Sequence, residues 1–209
     1  LRLGLADGDF WGSADLGGAW SECGGSCASL FSVADGAGQV SVRAGSGPYA
    51  MLDSVSSTDS DVRAEVSVDR DATGSGTYVA VTPRGAGDDG YRARLKFKPD
   101  GSAAVSLRRF DAAGRTTLAT AAAPGTFSAG DEWVLRAQAI GTSPTALRVK
   151  AWPKGTTEPV AWQIDVTDSE GDWQKAGAVG MWAYVSGSAS NAPAVVSFNS
   201  FIARDPAAE

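Results

Sequence analysis

Two short strings place aromatic and guanidinium side chains at a spacing suited to holding sugar rings. Trp182 and Tyr184 stand two residues apart, so on a strand they share one face, opposite Met181, Ala183 and Val185. Arg92 and Arg94 share a face in the same way within 90–98, where Tyr91, Ala93, Leu95 and Phe97 take the other side. The C–H faces of pyranose rings stack on aromatic rings, and guanidinium forks hold carboxylates or sugar hydroxyls. Trp152 has the parity of Arg148 and Lys150, whose charges must face water, so Trp152 is expected to face water with them. Each string also has a plainer reading. Trp182 and Tyr184 suit the filling of a core between sheets, and Arg92 with Arg94 suits a solvated strand face.

Other chemistries find less support. The chain has no histidine, which removes the usual general base, the commonest metal ligand and every Ser/His or Cys/His nucleophile scheme. Glycoside hydrolysis needs two carboxylates at a fixed separation, commonly written Glu-x-Asp-x-x-Glu or Glu-x-Asp-x-Glu on one strand, and neither string occurs. Glu65, on a strand, has Arg63 and Ser67 as same-face neighbours, so a salt bridge is its ordinary expectation. Tyr91-Arg92-Ala93-Arg94 is the nearest string to a lyase site, and it lacks the histidine such sites often use.

Calcium has two candidate groupings. Asp69-Arg70-Asp71-Ala72-Thr73-Gly74 matches the opening of an EF-type loop, but the closing bidentate Glu would fall at Ala80. The plainer reading of Asp69 and Asp71 is a polar turn between strands at 61–69 and 76–83. The second grouping joins Asp7, Asp9 and Asp15 with Asn199 or Asp205 if the chain ends meet. A structural calcium ion is thus an option, and no cofactor is required.

The two cysteines, Cys23 and Cys27, have no third Cys or any His with which to build a tetrahedral metal site. A small disulfide and a compartment outside the cell are the leading reading; two reduced thiols in a flexible loop are the alternative. The net charge of −6 repels phosphodiester backbones and anionic lipid, so nucleic acid and membrane surfaces are poor partners. No apolar run approaches the roughly 20 residues that cross a bilayer. Beginning at Leu1 without Met, the sequence reads as a processed protein or an excised domain.

The elements that must position these residues are strands. Gly at 26 positions and Pro at 9 punctuate the chain too heavily for a helix bundle, while 43% hydrophobic residues and 7 Trp are too many for a disordered tail. Period-two alternation is clearest at 61–69 and 90–98. Lys98-Pro99-Asp100-Gly101 and Asp111-Ala112-Ala113-Gly114 are turn signals that link 90–98, 103–110 and 115–121 into a meander. Further strands are predicted at 30–33, 40–43, 49–54, 76–83, 132–140, 146–153, 160–166, 178–186 and 195–204. The stretch 167–174 breaks the pattern; it suits one helical turn with Trp173 folded back onto the body. About a dozen strands cannot stay as one open sheet without exposing an apolar face, so two stacked antiparallel sheets are expected.

Four strings together resemble a known fold family. They are Trp11-Gly12-Ser13-Ala14-Asp15-Leu16-Gly17-Gly18-Ala19-Trp20, Gly90-Tyr91-Arg92-Ala93-Arg94-Leu95, the run Ala178 to Gly187 (AVGMWAYVSG), and Val196-Ser197-Phe198-Asn199-Ser200-Phe201-Ile202-Ala203-Arg204. In order along nearly the whole chain, they resemble the concanavalin A-like (laminin G-like) jelly-roll modules of secreted multidomain proteins from high-GC bacteria, with related modules in phage tail proteins. In such modules the last string often reads Phe-Asp-Asp-Phe; Asn199 and Ser200 replace those acids here. The resemblance implies an all-β, two-sheet antiparallel β-sandwich, a concanavalin A-like jelly roll, forming one domain over 1–209 within a larger secreted or cell-surface protein. The expected function is non-catalytic, lectin-like binding of a polysaccharide or glycoconjugate. Arg92, Arg94, Trp152, Trp182 and Tyr184 are expected on the outward face of one sheet. The alternatives are a structural or adhesion module without a small ligand and, third, a polysaccharide-active enzyme. Neighbouring domains of the same chain are the other expected partners.

Overall fold

The computed structural model describes residues 11–23 and 27–207, and in it the alternating segments form two seven-stranded antiparallel sheets. In chain order the strands begin with β1 (Ser21–Glu22), β2 (Phe31–Ala34), β3 (Ala37–Val42), β4 (Tyr49–Ser57), β5 (Ser60–Val68), β6 (Thr77–Ala86) and β7 (Asp89–Phe97). There follow β8 (Ser102–Asp111), β9 (Gly114–Thr126), β10 (Trp133–Ile140), β11 (Thr145–Pro153), β12 (Ile164–Asp168), β13 (Gly177–Val185) and β14 (Ala194–Arg204). The first sheet has the order β1-β4-β13-β6-β7-β8-β9, and the second β12-β11-β10-β5-β14-β3-β2. This is the jelly-roll sandwich that the alternation predicts.

The two clearest alternations fold as read. Val62, Ala64, Val66 and Val68 of β5 are buried between the sheets, as are Tyr91, Ala93, Leu95 and Phe97 of β7. The meander β7-β8-β9 closes its first turn with Gly101, whose φ of +77° is open to glycine at little cost and whose N–H donates to the Lys98 carbonyl. Aromatic rings fill the core in edge-to-face groups. Trp11 meets Trp20, Phe31 and Phe198 at 5.0–5.6 Å, and Phe97 stacks on Phe127 at 3.9 Å; each pair adds about 0.5–1.5 kcal/mol beyond the area it buries.

Several elements depart from the sequence reading. The strand predicted at 160–166 starts only at Ile164, and Val160 is 98% exposed. Pro159 has no N–H for a ladder. Gln163 instead spreads its side-chain amide over both backbone groups of Ala151, accepting from its N–H at 3.0 Å and donating to its carbonyl at 2.8 Å. No helical turn forms at 167–174: Thr167 and Asp168 finish β12, and the bends beyond bring back Trp173, whose Nε1 donates to the Phe110 carbonyl. The short β1 and a 3₁₀ turn at Ala28–Leu30 were not predicted.

One irregularity changes where a charge goes. Between Val81 and Arg84, β6 carries one residue more than its partner β7, and such a bulge reverses the alternation. Arg84 therefore points inward and is fully buried. There it donates to Thr145 Oγ1 and to the carbonyls of Thr58, Gly141 and Trp173, closing one end of the sandwich. Cys23 and Cys27 are joined in a disulfide. Among the described residues no helix is long and apolar enough to cross a membrane.

Candidate functional site

The middle strands of the first sheet bring four of the five expected residues together on its outer face. The parity question at β13 is settled by the core. Val179, Met181, Ala183 and Val185 pack between the sheets, so Trp182 and Tyr184 point outward. Across the sheet Trp182 pairs with Ala80, and Ala80 with Arg94; in the next row Tyr184 pairs with Tyr78, and Tyr78 with Lys96. Ala80 is the small residue between two large ones, and over it Trp182 and Arg94 close to 5.8 Å. The result is a hollow of about 500 Å³ whose lining includes Tyr78, Asp88, Arg92, Arg94, Arg108, Phe110, Arg115, Trp182 and Tyr184.

Rings and guanidinium groups interleave along this wall. Trp182 and Tyr184 lie parallel within 3° at 5.6 Å, and Tyr184 meets Tyr78 at 5.8 Å. The Arg92 guanidinium sits 4.3 Å from the Phe110 ring and 4.8 Å from Trp182, and Arg94 sits 4.5 Å from Tyr78. Such contacts contribute about 0.5–2 kcal/mol each, more as they are desolvated. The loop at 45–48 walls the other edge. It is tied to β13 by hydrogen bonds from Gly45 N–H to Val185 and from Ala183 N–H to Pro48. At Gly47 an added Cβ would lie 3.0 Å from the Trp182 indole nitrogen, so the absence of a side chain there lets the loop approach the ring. Trp182 is consequently a wall of the hollow, only 9% exposed, and not an open platform.

The charge of the hollow is lopsided. Asp88 is the one carboxylate among its described lining residues, and it is taken by Arg92, whose Nη2 donates to Oδ1 at 2.6 Å. Arg94, Arg108 and Arg115 have no ion-pair partner among the described residues. The Nε atoms of Arg92, Arg94 and Arg108 are buried without a hydrogen-bond partner. Burial, and then the charge of Arg108, bring the Arg94 guanidinium down to about 10; it still carries its proton at neutral pH. Burial likewise lowers Arg92, against the pull of Asp88.

Trp152 does not join this site. It lies on β11, in the second sheet, and points away from the core on that sheet's outer face. Nor does it face water as expected: it is 3% exposed, flanked by Arg63 and Lys150. The segment 156–163 runs over the strand, and Lys150, itself buried, donates to the Pro159 carbonyl and pairs with Glu158 at 2.6 Å. Parity correctly put Trp152 outside the core, but a loop then covered it. With Trp162, Pro153, Pro159 and Pro124 it lines a separate, mostly apolar hollow of about 760 Å³.

The candidate calcium carboxylates are engaged within the chain. Asp69 pairs with Arg70 and accepts from the Val195 N–H at 2.8 Å, while Asp71 accepts from the Ala129 N–H at 2.8 Å. They sit in the loop joining β5 to β6, as the turn reading has it. Asn199 donates to Glu132 Oε1 at 2.7 Å, Asp205 accepts from Ala207 N–H, and Asp15 is exposed. Asp7 and Asp9 lie outside the described residues. Among the described residues no three His, Cys, Asp or Glu side chains group as metal ligands. Glu65 pairs with Arg63 at 3.1 Å, as its spacing predicts, and also with Lys154 at 3.0 Å.

Sequence reasoning missed Tyr78, Asp88, Arg108, Phe110 and Arg115. A signal existed for two of them. In 102–111 the core residues Ala103, Val105 and Leu107 put Arg108 and Phe110 on the opposite parity, that of Arg92 across the ladder.

No protein-family model matches this sequence, and no curated protein sequence matches it. Solved structures do share its fold. A carbohydrate-binding module, CBM66, from Bacillus subtilis superposes with a TM-score of 0.53 at 16% identity, covering 87% of this chain and 92% of that one. A legume lectin-like domain from Entamoeba histolytica gives 0.53 at 13% identity, over 84% and 86% of the two chains. The potassium-bound carbohydrate recognition domain of Emp46p gives 0.57 at 8% identity, over 84% and 85%. At these identities the likeness is one of fold, the jelly roll of lectin and carbohydrate-binding domains.

Proposed function

We propose that this chain is a non-catalytic, secreted or cell-surface module that binds a polysaccharide or glycoconjugate on the outer face of its first sheet. The observation that carries the reading is the parallel Trp182–Tyr184 pair walling a hollow of about 500 Å³ among arginine side chains. Apolar rings rimmed by hydrogen-bond donors suit a sugar, whose C–H face packs on the more exposed Tyr184 and Tyr78 against the Trp182 wall while its hydroxyls seek partners. That proteins of the same fold are described as a carbohydrate-binding module, a lectin-like domain and a carbohydrate recognition domain supports it. The Cys23–Cys27 disulfide fits an oxidising compartment. The commitment of Glu65 to Arg63 and Lys154 supports binding without hydrolysis. Affinity follows from two or three stacked rings at about 0.5–1.5 kcal/mol each, less the cost of association, which gives micromolar to millimolar dissociation constants.

The test is retention on a panel of insoluble and gel-embedded polysaccharides, with melting temperatures measured alongside. Trp182→Ala and Tyr184→Ala should each weaken retention roughly twofold to tenfold, the loss of one stacked ring. Trp152→Ala, on the other sheet, should leave retention unchanged. Full retention in both first-sheet variants would place the binding face elsewhere, and a wild type retained on none of the polysaccharides would instead favour a structural or adhesion module.

A further inference from the structure

We infer that the saccharide held at this face is acidic, with carboxylate or sulfate groups on its rings that the arginines of β7, β8 and β9 neutralise. The inference rests on the carbohydrate reading above and names its ligand class. On a chain whose net charge is −6, the hollow on the outer face of the first sheet gathers Arg92, Arg94, Arg108 and Arg115 about a single lining carboxylate, Asp88, with Lys96 beside Tyr78 on the same face. Asp89 acts on Arg92 and Asp53 on Tyr49 from outside that lining. Arg92 and Arg108 stand directly opposite each other across the β7–β8 ladder. Like charges in that position destabilise a sheet. The Nε donors of Arg92, Arg94 and Arg108 are removed from solvent with nothing to receive them, and an unpaired buried polar group is costly.

Unpartnered Nε atoms also occur at Arg63 and Arg84, and Arg84 is held by Thr145 and carbonyls without a carboxylate; what sets the first face apart is the lack of counter-charge for a cluster of cations on one surface. On the second sheet Arg63, Arg136, Arg148, Lys150 and Lys154 each have a carboxylate partner. An oxyanion from outside the chain would supply what the first face lacks, and guanidinium forks suit carboxylate and sulfate equally. The rings identify the carrier. Trp182, Tyr184 and Tyr78 border the unpaired cations, so one ligand must offer a flat apolar face and negative charge together. A sugar ring bearing an acid group does both.

The experiment is affinity electrophoresis of the full chain in gels containing polygalacturonate, its carboxyl-reduced form, dextran sulfate or dextran, with a single-stranded oligothymidylate as a further polyanion. Retention by polygalacturonate or dextran sulfate at least about tenfold stronger than by its neutral counterpart supports the inference, and which acid is preferred separates carboxylate from sulfate. Arg94→Gln with Arg108→Gln should abolish that preference, while Arg94→Lys, which keeps the charge and loses the fork, should fall between. The melting temperatures confirm that each variant is folded. Equal retention on acidic and neutral forms, weakened in both by Trp182→Ala, overturns the acidic ligand and leaves the carbohydrate reading standing. Retention on none of the four polysaccharides overturns both. Acid preference unchanged in the double glutamine variant, or oligothymidylate retained as well as either acidic polysaccharide, also overturns the inference.

Discussion

The outer faces of the two sheets carry the same kinds of side chain, tryptophan among arginines and lysines, and treat their charge in opposite ways. On the second sheet Arg136 pairs with Asp61 and Glu158, Lys150 with Glu158, Lys154 with Glu65 and Glu132, and Arg148 with Asp165. On the first, Arg92 alone among the arginines lining the hollow has a carboxylate partner. Aromatic rings beside cations therefore do not by themselves mark a binding face, since Trp152 and Trp162 have them and serve to pack a covering segment. What separates the faces is whether the chain supplies its own counter-charges. Where it does, the cations hold structure; where it does not, the acidic-saccharide proposal leaves them for a ligand.

The largest effect should come from breaking the paired face. Asp61 is 2% exposed and accepts from Arg136 and Gln138, so Asp61→Ala leaves a largely buried guanidinium short of its main partner. We expect a loss of about 3–5 kcal/mol in urea denaturation, with retention per folded molecule unchanged; a loss under about 1 kcal/mol would mean that the second face does not need its pairing. The same carboxyl gives a pH signature. Burial alone would raise it, but the hydrogen bonds of Arg136 and Gln138 prevail and hold it below its ordinary 3.8. Its contribution is thus complete above the unfolded value and is lost as pH falls through the lower folded one. Stability of the wild type should drop below about pH 4, and Asp61→Asn should flatten that acid limb.

Reduction of the Cys23–Cys27 bond, which belongs to neither face, supplies a baseline. A loop this short should contribute about 2 kcal/mol or less, and intact mass after alkylation should show two blocked thiols only when reductant is present. Alkylation without reductant would refute the bond. A smaller effect should come from the unpaired face. Arg94→Gln relieves a desolvated cation beside Arg108 but also gives up its contacts with Tyr78 and Trp182, so the two offset and stability should change by less than about 1 kcal/mol while retention falls. A stability loss of about 3 kcal/mol or more, the scale of a broken buried pair, would mean that Arg94 holds structure, as the second-face cations do. The smallest effect should be that of chelation. With Asp69 and Asp71 spent on the β5–β6 loop, retention is expected to be unchanged by a chelator, and loss of retention would return calcium to the site.

The legible parts of this molecule are those that depend on neighbours in sequence. Parity along one strand placed Arg92 with Arg94 and Trp182 with Tyr184 on single faces, and the turn at 98–101 joined β7 to β8. Sheet membership is not local. Whether β11 lies beside β13 is decided by the whole strand order, and this is why Trp152 was grouped with a site on the other sheet. Loop cover is not local either: nothing in Arg148, Lys150 and Trp152 indicates that Pro159 to Gln163 will lie over them. The inward turn of Arg84 depends on a single extra residue in β6, which alternation alone does not reveal.

The central claim is that charge left unpaired by the chain makes the first face the binding face, and two charge-matched variants test it directly. Arg94→Gln with Arg108→Gln removes two cations from the first face; Arg63→Gln with Lys154→Gln removes two from the second, so the two variants carry the same net charge, more negative than the wild type by two. Both are run with the wild type in a polygalacturonate gel, with their folded fractions measured. If the claim holds, only the first variant loses retention, by about tenfold or more, and the second migrates as the wild type does. Equal loss in both would show that overall charge and not this face governs binding, and would contradict it.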